Sequence, residues 1–177
     1  MKTLPDYLLP DLGIVLVGLN PSITSAQTGH YFANPRNRFW PAFNAAGMAP
    51  ESITAETDYR VLEFDIGMTD IVKRPTPGVS NLKAEDFRIG VADLKDRLFL
   101  YGPSIVCFHG VMAATQYAKI AENYHSQVVL GPQPWFTGSS EVFVVPNPSP
   151  ANASFSLDDI ISWYFKLKDF RDDVTSV

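Results

Sequence analysis

The stretch Ile14-Val15-Leu16-Val17-Gly18-Leu19-Asn20-Pro21-Ser22 decides the fold. Its first four residues are apolar without a polar break. A strand with one wet face alternates, whereas a strand covered on both faces reads as a continuous apolar run. Two more such runs follow, Ile105-Val106-Cys107-Phe108 and Val142-Phe143-Val144-Val145. Helical spacing lies between and after them. Asn34 reads as an N-cap with Pro35 at the first helical position, then Phe39, Trp40, Phe43 and Ala46 recur until Gly47. Phe87, Val91, Leu94 and Leu98 mark a helix over about Ala84 to Leu100, and Val111, Ala114, Ala118 and Ala121 mark another after Gly110. Ser156, with Asp159 three residues on, resembles a capping box before the stripe Ile160, Tyr164 and Leu167. Alternating buried strands and helices predict a three-layer α/β/α sandwich around a short, mainly parallel central sheet. Asp65–Val72 belongs near that sheet, as strand or as loop.

The length of 177 residues fits one domain, taken as residues 1–177, with enough chain to bury a core. A 46% hydrophobic and 19% charged composition excludes a disordered or fibrous chain. With one cysteine, Cys107, an intramolecular disulfide and four-cysteine metal sites are excluded. No apolar run reaches membrane-span length, and the opening MKTLPDYLLPDLG does not read as a signal peptide. The expected compartment is the cytoplasm. A net charge of −5 argues against binding through many phosphate contacts. Only residues 1–50 carry more Lys and Arg (3) than Asp and Glu (2), so an anionic partner is expected at that end.

Ligands of open α/β sheets bind beyond the carboxyl ends of the strands. Three Gly/Pro-rich segments sit there: Gly18–Ser22, His109-Gly110, and Pro146–Asn152. None contains a G-x-G-x-x-G, a Walker loop or a G-x-S-x-G elbow, and the three histidines are too scattered for a helical zinc pair. Cys107, inside an apolar run, reads as an inert core thiol.

The run GLNPSITSAQTGHYFANPRNRFW, residues 18–40, resembles the first motif of the mismatch-specific uracil/thymine-DNA glycosylases, a G-[I/L]-N-P-G followed by an aromatic residue and N-x-F-W. Gly67–Val72 and Arg74–Gly78 are similar to that family's middle segment, and Val145-Pro146-Asn147-Pro148-Ser149 to the second motif of its bacterial branch. Gly131–Pro134 and Tyr164–Asp169 are similar to the thymine-cutting branch. The resemblance runs in order over roughly residues 12–172; each motif alone is weak, and the ordered set is specific. It implies a bacterial cytoplasmic repair enzyme, active at the nucleoid. Such an enzyme flips uracil or a related damaged pyrimidine out of mismatched double-stranded DNA and hydrolyses the N-glycosidic bond. Single-stranded DNA is a further candidate substrate. The enzyme is expected to be a monofunctional monomer, without cofactor, metal or membrane contact.

Cutting that bond produces a delocalised uracil anion and an oxocarbenium-like sugar. The reaction needs a positioned water, a base pocket and polar groups for the leaving oxygens. By the resemblance Asn20 positions the water; an amide orients water but does not take its proton. Asp70 can take it if it faces the pocket, and is otherwise a solvated surface carboxylate. Phe32 is matched to the aromatic that stacks on the extruded base, and Ser25 to the residue near the pyrimidine C5 edge, where a hydroxyl leaves less room for a methyl group. Leu19, Thr69, His30 and Asn147 complete the expected base pocket. His30 and His109 are matched to no catalytic position of the whole family; each can touch the site from a strand end or loop, but reads first as a hydrogen-bonded structural histidine.

Pro148, Ser149, Pro150, Ala151 and Asn152 are expected to meet DNA, with Lys73, Arg74, Arg36 and Arg38 either as phosphate contacts or as exposed solubilising charges. Relatives carry a Leu or Arg wedge at the position of Ala151, a small residue at Pro150 and Gly at Ser22. The short Ala151 predicts weak reading of the opposite base. A damaged-base binder with little catalysis is the alternative favoured by Ala151 and Ser22. A hydrolase of free nucleosides is a third class, opposed by the 147–152 loop.

Overall fold

The structure is a computed structural model that describes residues 1–176. Five strands form one sheet in the order β2-β1-β3-β5-β4. They are β1 (Ile14–Gly18), β2 (Ile66–Asp70), β3 (Ile105–His109), β4 (Gly131–Pro132) and β5 (Glu141–Val145). Among these five strands every pairing is parallel except that of the two-residue edge strand β4. The helices are α1 (Ile23–Thr28), α2 (Phe39–Ala45), α3 (Ala84–Tyr101), α4 (Val111–Ala121) and α5 (Leu157–Thr175).

The uninterrupted apolar runs supply both faces of the sheet. Ile14, Leu16, Ile105, Cys107 and Phe143 face a core closed by α2 and α5 through Phe39, Phe43 and Tyr164. Val15, Val17, Val106, Phe108 and Val144 face the opposite core, closed by α3 and α4 through Val91, Leu94 and Tyr117. The three-layer α/β/α sandwich follows from that division. No described helix is long and apolar enough to cross a membrane.

Asp65–Val72 contains strand β2, at the sheet's end of the parallel ladder, with Gly18 opposite Asp70. The N-terminal segment then pairs with β2 from outside, through Tyr7 N–H to Met68 O and Met68 N–H to Tyr7 O, both 2.9 Å. Gly67 allows this: a Cβ there would lie 2.6 Å from the Tyr7 carbonyl.

One local expectation needs correction, and two short elements carried no signal that was read. Asn34 does not cap α2, which begins only at Phe39. The Asn34 side chain accepts from Arg36 N–H at 2.9 Å and that of Asn37 from Phe39 N–H at 2.8 Å, so two Asx turns occupy the stretch that Pro35 was expected to start. Helix α1 is only six residues long, too short for a periodic signal, and is announced only by the Ser22 cap, whose hydroxyl accepts from Ser25 N–H. A 3-10 segment over Ala55–Phe64, kinked at Thr57, escaped the periodicity as well. The Ser156–Asp159 capping box forms as read, and α5 buries Ile160, Tyr164 and Leu167.

Candidate active site

The loops after β1, β2, β3 and β5 surround a cavity of about 490 Å³. Its wall brings together Leu19, Asn20, Ser25, Phe32, Asp70 and Asn147, which the sequence nominated from three separate segments. Ser149, Pro150 and Ala151 form its rim.

Asn20 follows β1, where two bonds extend the parallel ladder: Ile71 N–H to Gly18 O and Val72 N–H to Leu19 O. The Asn20 amide nitrogen donates to Arg74 O at 3.0 Å and to Thr76 Oγ1 at 2.8 Å. Thr76 Oγ1 in turn donates to Gly78 O, so it can only accept from Asn20. Both neighbours therefore demand the N–H₂ end, which leaves Oδ1 as the group free to accept from a ligand or a water.

Asp70 is 4% exposed and also lines the cavity. A Cβ on Gly18 would lie 2.4 Å from Asp70 Oδ1, so the glycine makes room for the carboxyl. Oδ2 has no hydrogen-bond partner among the described residues. Burial pushes the carboxyl up to about 7, against the pull of Lys73 and Arg97 and with the help of Asp6. It can thus exchange a proton near neutral pH.

Phe32 has φ +52°, a left-handed backbone seldom taken by a bulky residue. Its ring stacks on Phe39 at 4.0 Å and 18°, so one face is covered by protein while the ring contributes to the cavity wall. The surrounding structure holds the strained turn. Ser25 Oγ accepts from Ala33 N–H, Trp40 Nε1 donates to Tyr31 O, and the Tyr31 hydroxyl donates to Pro5 O. Buried Asp58 accepts from Tyr31 N–H at 2.7 Å and from Tyr7 Oη at 2.9 Å.

Other nominated residues lie elsewhere. His30 is outside the cavity wall and contacts Asp58 at 3.2 Å through Nδ1. Thr69 is fully buried, and its hydroxyl donates to Asp6 at 2.6 Å. Strand alternation explains this: Asp70 faces the cavity, so Thr69 cannot. Lys73 pairs with Asp6, and Arg74 with Asp86 at 2.7 Å. Pro148 is buried outside the wall, and Asn152 lines an adjoining, mostly apolar cavity of about 300 Å³. Arg38 turns inward, donating to the carbonyls of Pro148, Ser149, Asn152 and Phe155 and shaping the loop instead of presenting its charge. Arg36 is exposed at the cavity and makes no ion pair among the described residues.

His109 was matched to no role, yet it lines both cavities. Its Nε2 lies 2.7 Å from the Tyr164 hydroxyl, and burial lowers its pKa to about 4, so the ring is neutral. Thr76, Tyr31 and Leu4, which sequence reasoning missed, also line the main cavity. No spacing signals them, because they come from loops and from the N-terminal segment. Among the described residues no three His, Cys, Asp or Glu side chains gather as a metal site.

The profile of the Uracil DNA glycosylase superfamily matches residues 5–169. The chain belongs to the uracil-DNA glycosylase superfamily. Membership implies a glycosylase that hydrolyses N-glycosyl bonds and acts on DNA. The fold is also similar to a solution NMR structure from Methanosarcina acetivorans, of a protein named as a candidate uracil DNA glycosylase. The TM-score is 0.64 at 23% identity, over 95% of this chain and 98% of that one. At that identity the likeness speaks for the superfamily's fold and leaves the chemistry to the cavity.

Proposed function

We propose that this protein is a monofunctional glycosylase of the mismatch-specific type that flips uracil out of DNA, hydrolyses its N-glycosidic bond and leaves an abasic site. One observation carries the reading: the free acceptor of Asn20 and the carboxyl of Asp70 share one cavity at the ends of adjacent strands. Asn20 Oδ1 accepts a hydrogen bond from a water and aims it at C1′. As the C1′–N1 bond breaks, its electron pair leaves on uracil N1, spread onto the carbonyl oxygens O2 and O4. The water oxygen bonds to C1′ and its proton passes to Asp70. Phe32 stacks on the extruded base, an interaction of about 1–3 kcal/mol. Asn147 and the Ser149–Ala151 rim adjoin the DNA. Of the four cations named for phosphate contact, Arg36 is the one that makes no ion pair or loop contact through its side chain among the described residues. No lysine is assigned a Schiff-base role, so strand cleavage is not expected.

Incubation with duplex DNA holding one G·U pair, followed by alkali, tests this. Alkali-labile sites at the uracil are expected. A second reading, a damaged-base binder with little catalysis, is favoured by Ala151, exposed and too short to fill a vacated base position. Tight retention of the uracil duplex without any alkali-labile product at enzyme excess would establish that reading instead.

A further inference from the structure

Asp6 joins three side chains around the end of β2. It accepts from the Thr69 hydroxyl at 2.6 Å, pairs with Lys73, and its second oxygen lies 3.6 Å from Arg97 Nε. Arg97 also donates to the Asp70 carbonyl at 2.9 Å. Asp6 is brought there by the N-terminal segment, which pairs with β2 at Tyr7–Met68 and is held again by the Thr3 hydroxyl on Lys73 O. Lys73 lies three residues past Asp70. Left alone, its ammonium would be drawn to the unpartnered Asp70 Oδ2. A carboxylate locked in a direct ion pair is a poor proton acceptor.

We propose that Asp6 is a positioning residue for Asp70: by engaging Lys73 and Arg97 it keeps both cations off the Asp70 carboxyl, which stays free to take a proton in the cavity. The part about the reaction rests on the role given to Asp70 above; the part about charge does not. The groups facing Asp70 from the surrounding elements leave few other sources of charge. Gly18 on β1 has no side chain. Burial drives the Tyr31 hydroxyl far above its usual range and holds His109 neutral. Arg36 also lines the cavity, but exposed at its mouth; Asp6, Lys73 and Arg97 are the charges that act on Asp70. With Asp70 ionised the four groups balance, two cations against two anions.

The ion pair predicts shifts of opposite sign from its two ends. Asp6→Asn frees a cation for Asp70, so the Asp70 carboxyl should titrate lower, by about one pH unit. Lys73→Met removes a cation, so it should titrate higher. The Asp6→Asn/Lys73→Met double variant removes one charge of each sign and should return close to the wild-type titration. The measurement is the ¹³C shift of the Asp70 carboxyl against pH in the full-length protein, assigned by its loss in Asp70→Asn. Single-turnover excision of uracil is followed in parallel. A purely structural role for Asp6 would move stability in all three variants and give no sign reversal. Shifts of the same sign, or none, in the two single variants would overturn the proposal. Opposite carboxyl shifts without matching shifts in the rate profile would uphold the charge arrangement and remove Asp70 from the reaction.

Discussion

Gly18 and Asp70 face each other across adjacent strands, and a methyl group on the glycine would lie 2.4 Å from the carboxylate oxygen. Gly18→Ala should therefore displace Asp70 and cut single-turnover excision by at least about tenfold, a barrier of roughly 1.4 kcal/mol, while circular dichroism stays native. Unchanged kinetics would remove Asp70 from the site. Asp70 also has a cost in stability that can be measured. Its carboxyl keeps a proton to about pH 7 when folded and to about 3.8 in the ordinary state. Between those values the folded protein binds more protons than the unfolded chain, so stability present below pH 4 is lost as the pH rises through 7. Asp70→Asn removes the buried charge and should raise Tm at pH 8 by roughly 3 °C or more. In the wild type, excision should decline below about pH 7 as the base is protonated, and that decline should be absent in Asp70→Asn. A Tm at pH 8 that falls in Asp70→Asn would contradict the burial argument.

At the scale of elements, the loop after β5 owes its shape to one side chain from the segment before α2. Arg38 donates to four of its carbonyls, and Asn147 and Ser149 add Asx-type and hydroxyl turns at Ser149 N–H and Ala151 N–H. Arg38→Met takes the side-chain partner from the Asn152 and Phe155 carbonyls, while Pro148 O keeps Arg38 N–H and Ser149 O keeps Asn152 N–H, and should cost about 2–4 kcal/mol in stability. It should also weaken binding of abasic duplex, read by titration calorimetry; native stability and affinity would show the loop to be self-supporting. The elements differ in how openly they were written. The three buried strands, α3, α4 and α5 carried continuous or periodic apolar patterns, and local pattern and tertiary burial agree there. Asn20, Phe32 and Asn147 were legible by a different route: the resemblance to the glycosylase motifs named them, and Asn20 and Asn147 also lie in loops that follow buried strands. The roles of Asp6, Arg38, Asp58 and Thr76 were not legible, since each acts on a partner more than 25 residues away, or on backbone carbonyls that carry no sequence signature. His30 and Thr69 were nominated as neighbours of site residues, and a turn or strand sends neighbouring side chains in opposite directions.

At the scale of the whole molecule, the net charge is −5, and the lysines and arginines near the cavity are mostly spent internally. DNA affinity should then depend weakly on salt, and Arg36→Ala should lower the slope of log K against log salt by about one. A steep slope that persists in Arg36→Ala would place the phosphate contacts elsewhere. Ala151 supplies no wedge, so selection should follow the ease of extruding the base, with uracil opposite A or unpaired cut comparably to uracil opposite G. A preference for G·U over single-stranded uracil above about 100-fold, or ~2.7 kcal/mol, would contradict that. The central claim is that Asn20 and Asp70 handle one water. Its most direct test is a double-mutant cycle of single-turnover uracil release with wild type, Asn20→Ala, Asp70→Asn and the double variant. Asn20→Ala should retain measurable activity, and Asp70→Asn should lose about 10²-fold or more. The double variant should fall short of the summed losses, because aiming and deprotonating one water form a unit. Release by Asp70→Asn within threefold of wild type, or losses that simply add, would contradict it.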